Sequence, residues 1–182
     1  HPEKIAFYVT NTETQSGLLR EQFRKYKGVE PRVVTIPVVG IDELKTHENH
    51  RRKHALISAG RLAEEKHMDW VIEAVAEAKK SIPDISVDIY GEGEEKIKLQ
   101  EQIVRLNCEE SIHLKGFQKL DDVYQKYEAY VSATRFETFG VTLLEAVGAG
   151  LPIIGFDVHY GVQNFIDDGR NGYKISYGDI KG

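Results

Sequence analysis

Two cations and two carboxylates stand at spacings that chemistry could use. Arg61 follows the run HALISAG, and Lys66 comes five positions later in GRLAEEKH. A strand ending in Gly60-Arg61 sends a planar five-donor guanidinium off a sheet edge, and a lysine at the start of the next helix can converge on the same point, which would suit a diphosphate. A solvated pair bonded to Glu64 and Glu65 accounts for the same spacing equally well. Glu137 and Glu145 lie eight positions apart, one in the loop before a helix and the other two turns within it. Backbone N–H groups from Phe139 through Gly140 and Val141 to Thr142 open that helix, an anion site worth about 0.3–1 kcal/mol if exposed. Glu145, deeper in, could accept from two neighbouring hydroxyls such as a ribose presents. An exposed helix carboxylate and an unrelated loop carboxylate is the plainer local reading. Gly91 and Gly93 flank a tight strand-to-helix turn where a ligand could approach bare backbone. A dinucleotide fingerprint needs a third glycine, and Lys96 occupies that position, so a simple tight turn explains these glycines better.

Other chemistries lack their residues. No Asp-x-Asp pair, no Gly-x-x-x-x-Gly-Lys-Ser/Thr loop and no Gly-x-Ser-x-Gly elbow occurs, so phosphate charge would fall to Arg61, Lys66 and helix amides, with no metal expected. His47, His50 and His54 have helical ligand spacing, but two arginines and a lysine stand among them, as in a solvated linker. Asp168-Gly169 and Asn171-Gly172 are turn chemistry, and Tyr160-Gly161 lies beyond a buried strand. The 182 residues carry 24 basic and 29 acidic side chains, a net charge of −5, which argues against a nucleic-acid surface. The lone cysteine, Cys108, cannot pair within the chain and points to a reducing, cytoplasmic setting. No run is apolar enough to span a membrane, so membrane association would be peripheral and would need regions beyond this sequence.

The elements that would position these groups alternate. Strand-like runs cover 4–10, 32–38, 54–60, 85–91, 111–116, 129–134, 151–156 and 172–176, with helical spacing between them: Met68, Val71, Ile72 and Val75 on one helix, Ile97, Val104 and Leu106 on a second around 95–107, a short third from Leu120 to Tyr127, and a fourth carrying Leu143, Leu144 and Val147. Repeated strand-helix-strand order predicts an α/β fold, a Rossmann-like doubly wound parallel sheet with helices on both faces. Ligands in such sheets bind beyond the carboxyl ends of the strands, where the residues above fall. The polar stretch 41–54 reads as a linker between the end of one domain (1–40) and most of a second (55–182), which stops directly after a strand; the chain reads as a fragment.

Taken together, GRLAEEKHMDWVIEA, VDIYGEGEE, SIHLKG, ETFGVTLLEAVGAGLPIIGFDVHYG and IDDGRNGY resemble the C-terminal, donor-binding half of the family 4 retaining glycosyltransferases of GT-B fold, from about Ala55 to Tyr173. Within that family the IDEL linker, EKHMDW and GFDVHYGVQNFIDDG look most like the UDP-GlcNAc:protein glycosyltransferases of accessory secretion systems, with the poly(glycerol-phosphate) α-glucosyltransferases as near relatives. The resemblance implies a UDP-sugar donor, a protein Ser/Thr or polymer acceptor and room for a paralogous partner subunit. It places Arg61 and Lys66 on the donor diphosphate, Glu137 on the sugar and Glu145 on the ribose. Amides after Phe139-Gly140 would complete the phosphate site, and the loops at Gly91–Gly93 and Lys115-Gly116-Phe117 would hold the base. It also implies that acceptor-side catalytic groups lie elsewhere, so this chain alone would bind nucleotide and transfer no sugar. The loop here reads RFETFG where these relatives carry a small residue and then Glu-Gly-Phe-Gly, so Phe136 and Thr138 are bulkier than the pattern. That departure keeps a non-catalytic, nucleotide-binding or partner subunit as the alternative; an NAD-dependent enzyme is disfavoured by the missing glycine.

Overall fold

The computed structural model describes residues 7–36, 51–137, 139–158 and 161–181, and the chain packs as two units, His1–Gly40 and Ile41–Gly182. Residues 41–50 of the expected linker, with His47 and His50, fall outside the described residues, as do Thr138, His159 and Tyr160.

The first unit is a single strand-helix-strand. Strands β1 (Tyr8–Thr10) and β2 (Val33–Thr35) run parallel, joined by helix α1 (Glu13–Lys27). Thr12 caps α1 by accepting from the Gln15 N–H at 3.2 Å, and Gly28 ends it in the left-handed conformation that glycine adopts without strain. Ser16 is fully buried, and its hydroxyl bridges Thr10 at 2.6 Å and Thr35 at 2.7 Å, tying the helix to both strands.

The second unit runs β3 (Ala55–Ala59), α2 (Met68–Ala78), β4 (Ser86–Tyr90), α3 (Lys96–Arg105), β5 (Ile112–Gly116), β6 (Ala129–Ser132), α4 (Val141–Gly148), β7 (Ile153–Phe156), α5 (Gly161–Phe165) and β8 (Gly172–Ile175). Its six strands form one parallel sheet ordered β5-β4-β3-β6-β7-β8. Each expected strand is present inside its run; residues 4–6 and 37–38 of the first two runs lie outside the described residues. The short helix expected from Leu120 to Tyr127 is one 3₁₀ turn, Tyr124–Lys126, because Tyr127 has already swung to extended backbone at φ −112° to lead into β6. Helix α5 answers to no expected element; five residues are too few to show a period.

Alternation of strand and helix leaves both faces of the sheet centre covered, so β3, β4 and β7 are mostly apolar, while β5 (IHLKG) carries polar side chains. Ile57, Val87, Ile89 and Ile153 are wholly buried, against Val71, Ile72 and Val75 of α2, Ile103 of α3, and Leu143 and Ala146 of α4. Each such aliphatic side chain contributes about 1.5–3 kcal/mol on leaving water. One charge sits inside this packing. Asp88 of β4 accepts from the Tyr127 hydroxyl at 2.6 Å and from Arg52 at 2.9 Å, and lies 2.8 Å from His113 Nδ1. Burial pushes its carboxyl up, but the bonds from Tyr127, Arg52 and His113 outweigh that and hold it below the usual carboxylate range.

Candidate functional site

The chain reverses its order across the sheet between β3 and β6: β4 and β5 stack to one side of β3, and β6, β7 and β8 to the other. The ladder between these two strands covers only Leu56↔Ala129 and Ile57↔Tyr130. Past it the backbone of Ala59 is met by a side chain instead. The Tyr130 hydroxyl donates to the Ala59 carbonyl at 2.8 Å, lies 3.3 Å from the Ala59 nitrogen, and stands 2.9 Å from Thr142 Oγ1 at the start of α4. Burial pushes that phenol up to about 12, so it remains protonated. The strands therefore part at their carboxyl ends, where an open α/β sheet takes its ligand.

A cleft of about 590 Å³ opens there. From the expected site residues its wall takes Gly60, Arg61, Gly91, Phe117, Thr142 and Glu145, and it adds Tyr90, Glu92, Gln118, Lys119 and Asp121, which the motifs did not nominate. Phe117 stands at its edge with 80% of its surface exposed. A second cavity of about 70 Å³ lies among Trp70, Val131, Phe156 and Ile175 and contains none of the expected site residues.

Arg61 is 63% exposed and pairs with Glu65 one turn on. Glu65 is held below the usual carboxylate range by its own backbone N–H and then by Arg61. The solvated pairing weighed for Arg61 is thus present, while its residue still faces the cleft. Lys66 takes a different partner. It sits at the end of the 3₁₀ turn Glu64–Lys66, its stem passing Gly60, and its Nζ donates to Glu137 Oε2 at 2.8 Å. Glu137 reaches that point because the chain after β6 is docked on the turn: the Arg135 N–H donates to the Glu65 carbonyl at 2.9 Å. The other Glu137 oxygen accepts from the Gly140 N–H at 3.1 Å. Gly140 caps α4 at φ 84°, where a Cβ would come within 2.7 Å of Leu143. Lys66, Glu137 and the start of α4 thus form one chain of contacts from the β3 exit to the α4 entry.

Glu145 faces the cleft from the second turn of α4 and accepts from the Tyr124 hydroxyl at 2.8 Å. Phe139 turns elsewhere, its ring edge-on to Phe165 of α5 at 6.2 Å, and Val141 begins the helix half exposed. Phe136 is half exposed on the same loop.

Gly91 and Gly93 have a use the turn motif did not reveal. The chains leaving β3 and β4 run side by side, with the Gly60 N–H donating to the Tyr90 carbonyl and the Leu62 N–H to the Glu92 carbonyl, both at 2.9 Å. A Cβ on Gly91 would stand 1.8 Å from the Gly60 oxygen, and one on Gly93 2.2 Å from the Leu62 oxygen. Backbone, more than ligand, demands these glycines. Gly116 joins the same lacing, its carbonyl accepting from the Gly91 N–H at 2.9 Å, and the Lys115 carbonyl accepts from Gln118 at 3.0 Å. The phenols of Tyr124 and Tyr130 were illegible as site groups, since their contacts span 21 and 12 positions and no local spacing marks them.

Among the described residues no group of three or more His, Cys, Asp or Glu is placed to hold a metal ion, and no helix is long and apolar enough to cross a membrane.

Comparison with known proteins bears on this cleft. The family model described as glycosyl transferases group 1 matches residues 41–181. The chain is 50% identical over 173 residues to the UDP-N-acetylglucosamine–peptide N-acetylglucosaminyltransferase GtfA subunit of Streptococcus parasanguinis, covering 95% of this chain and 34% of that protein. It is 29% identical over 156 residues to the poly(glycerol-phosphate) alpha-glucosyltransferase of Bacillus subtilis, covering 85% of this chain and 21% of that one. The crystal structure of the pneumococcal O-GlcNAc transferase GtfA in complex with UDP and GlcNAc matches with a TM-score of 0.90 and 48% identity, over 96% of this chain and 34% of that one. The chain spans about a third of the length of these GtfA proteins.

Proposed function

Since the chain belongs to the glycosyl transferases of group 1, we propose that its second unit holds the UDP-sugar donor of a retaining transfer, with GlcNAc or glucose passing to protein Ser/Thr or to a cell-wall polymer. The observation that carries this reading is the cleft at the parting of β3 and β6, where Arg61, Thr142 and Glu145 face one space and Lys66 and Glu137 meet beside it. Domain-level likeness to a transferase solved with UDP and GlcNAc supports the donor class. The boundaries 1–40, 41–54 and 55–182 are proposed as acceptor-domain end, linker and donor domain.

In this reading Arg61 and Lys66 hold the diphosphate, with Gly60 and the amides from Phe139 to Thr142 beside them. Glu137 takes the sugar and Glu145 the ribose diol, while Gly91, Gly93 and the segment from Lys115 to Phe117 flank the base. The bond from the anomeric carbon to the β-phosphate oxygen breaks, its electron pair leaving on phosphate. The acceptor hydroxyl bonds to that carbon from the same face and gives its proton to the departing phosphate. Charge therefore builds on the β-phosphate, and fixed cations aimed at that point stabilise the transition state more than the ground state. Lys66 is balanced by Glu137, so a diphosphate entering the cleft offers the ammonium a second, more highly charged partner. The relative's designation as a subunit supports a paralogous partner chain, and the buried thiol of Cys108 suits a cytoplasmic setting.

Calorimetric titration with UDP, UDP-GlcNAc and UDP-glucose tests the reading; heat of binding with UDP and at least one UDP-sugar is expected, and no binding of any of the three overturns it. The second reading, a binding or partner subunit without turnover, draws on the half-exposed Phe136 beside Glu137. Binding without sugar transfer by the whole protein, in the presence of its partner, would select it.

A further inference from the structure

We propose that Tyr124 is the positioning residue for ribose recognition: its buried phenol fixes the Glu145 carboxylate so that it reads the vicinal diol of the donor nucleotide. The proposal deepens the donor-site reading above and rests on it. Glu145 is an exposed side chain on α4, and such a carboxylate loses rotamer freedom when a ligand immobilises it. Here the loss is taken on folding. Tyr124 is 2% exposed, and its hydroxyl donates to Glu145 Oε2 at 2.8 Å. No other side chain among the described residues donates to that carboxylate. An ionised carboxylate accepts at about four positions; Tyr124 takes one, which leaves capacity for two hydroxyls.

Tyr124 can set direction because it is itself held. It opens the 3₁₀ turn Tyr124–Lys126, and the turn is anchored at its far end by Tyr127, whose hydroxyl bonds Asp88 at 2.6 Å inside the sheet. Its ring packs against Tyr130 at 6.3 Å, and Tyr130 in turn joins Ala59 to Thr142. Two buried tyrosines thus underlie the two α4 side chains that face the cleft. Burial, then Tyr130 and Glu145, hold the Tyr124 hydroxyl well above its ordinary range, which keeps it a donor at every working pH.

Calorimetry on the full chain with UDP and with 2′,3′-dideoxy-UDP separates this from a packing role. Wild type is expected to prefer UDP by about 10-fold or more, as loss of hydrogen bonds to a charged group implies. Tyr124→Phe, which deletes one oxygen and keeps the ring, is expected to weaken UDP about 10-fold while changing dideoxy-UDP less than about 2-fold. The double variant with Glu145→Gln is expected to bind UDP like Glu145→Gln alone, since the two residues act as one group. Equal weakening of both nucleotides, no change with either, or losses that add in the double variant would each overturn the proposal. Wild type binding both nucleotides equally removes the diol contact, and with it the proposal, but leaves the donor reading standing; no UDP binding by wild type overturns both.

Discussion

Lys66 Nζ and Glu137 Oε2 meet at 2.8 Å across 71 positions of chain, with their side chains 22% and 17% exposed. The pair closes the gap between the turn after β3 and the loop after β6, and the docking of Arg135 on Glu65 brings the two segments together. It is a structural tie made of the two groups proposed to take phosphate and sugar.

Removing either partner leaves the other partly buried without its counter-charge. Lys66→Ala is expected to lower stability by about 1–3 kcal/mol, and Glu137→Ala by at least as much because Gly140 also loses its acceptor. Denaturant unfolding of both single variants and the double variant should show a coupling of the same sign, the double costing less than the sum.

Arg61 should behave in the opposite way. It is largely exposed, and among the described residues its side chain bonds only its near neighbour Glu65, so Arg61→Ala is expected to change stability by no more than about 0.5 kcal/mol. Under the proposed transfer, the same substitution in the full-length protein should reduce turnover on the order of 10²–10³, as loss of one charge-stabilising donor does. A melt and a turnover assay on the same preparation check the split; turnover equal to wild type removes Arg61 from the phosphate site.

Gly91→Ala must push apart two backbones, because its methyl would lie 1.8 Å from the Gly60 oxygen. A loss above about 2 kcal/mol is expected, lowering the melting temperature by roughly 4–8 °C. Gly17→Ala makes the contrast: the position lies inside α1 with nothing within 4 Å of the new methyl, and should gain about 0.5–1 kcal/mol in its own unit.

Asp88 gives stability a pH dependence. Its carboxyl is depressed in the folded chain relative to its ordinary value of 3.8, so its contribution is complete above that value and is lost as pH falls through the lower, folded one. Wild type should exceed Asp88→Asn by about 1–3 kcal/mol at neutral pH, and the gap should narrow only below about pH 4. Urea titrations at neutral and acid pH would show it; a gap independent of pH down to the acid limb would mean the ion pair is not its source.

The strands were legible because each is a short β-rich run between turn residues, and for β3, β4 and β7 burial on both sheet faces leaves little but apolar composition open. Helices α2 and α4 declared themselves by a buried apolar period; α3 is present where Ile97, Val104 and Leu106 suggested it, but Ile97 and Val104 are 75% and 52% exposed, and the face it buries is Leu99, Gln102 and Ile103. The segment from Leu120 to Tyr127 misled because Tyr124 and Tyr127 are buried for separate purposes, one under Glu145 and one on Asp88, at a spacing that imitates a helical face. The family resemblance carried by the motifs of Arg61, Lys66, Glu137 and Glu145 agrees with the group 1 match. Gly91 and Gly93 marked a tight place correctly, though what crowds them is the neighbouring chain, a contact that no local spacing encodes.

The main-chain lacing between the exits of β3 and β4 has an evolutionary reading. At Gly91 and Gly93 that margin is bare peptide with no space for a single added carbon, so mutation has almost nothing to work upon at those two positions. Diversification of what such a protein handles would have to be written in the side chains around them, with those two glycines held in place by the backbone they touch.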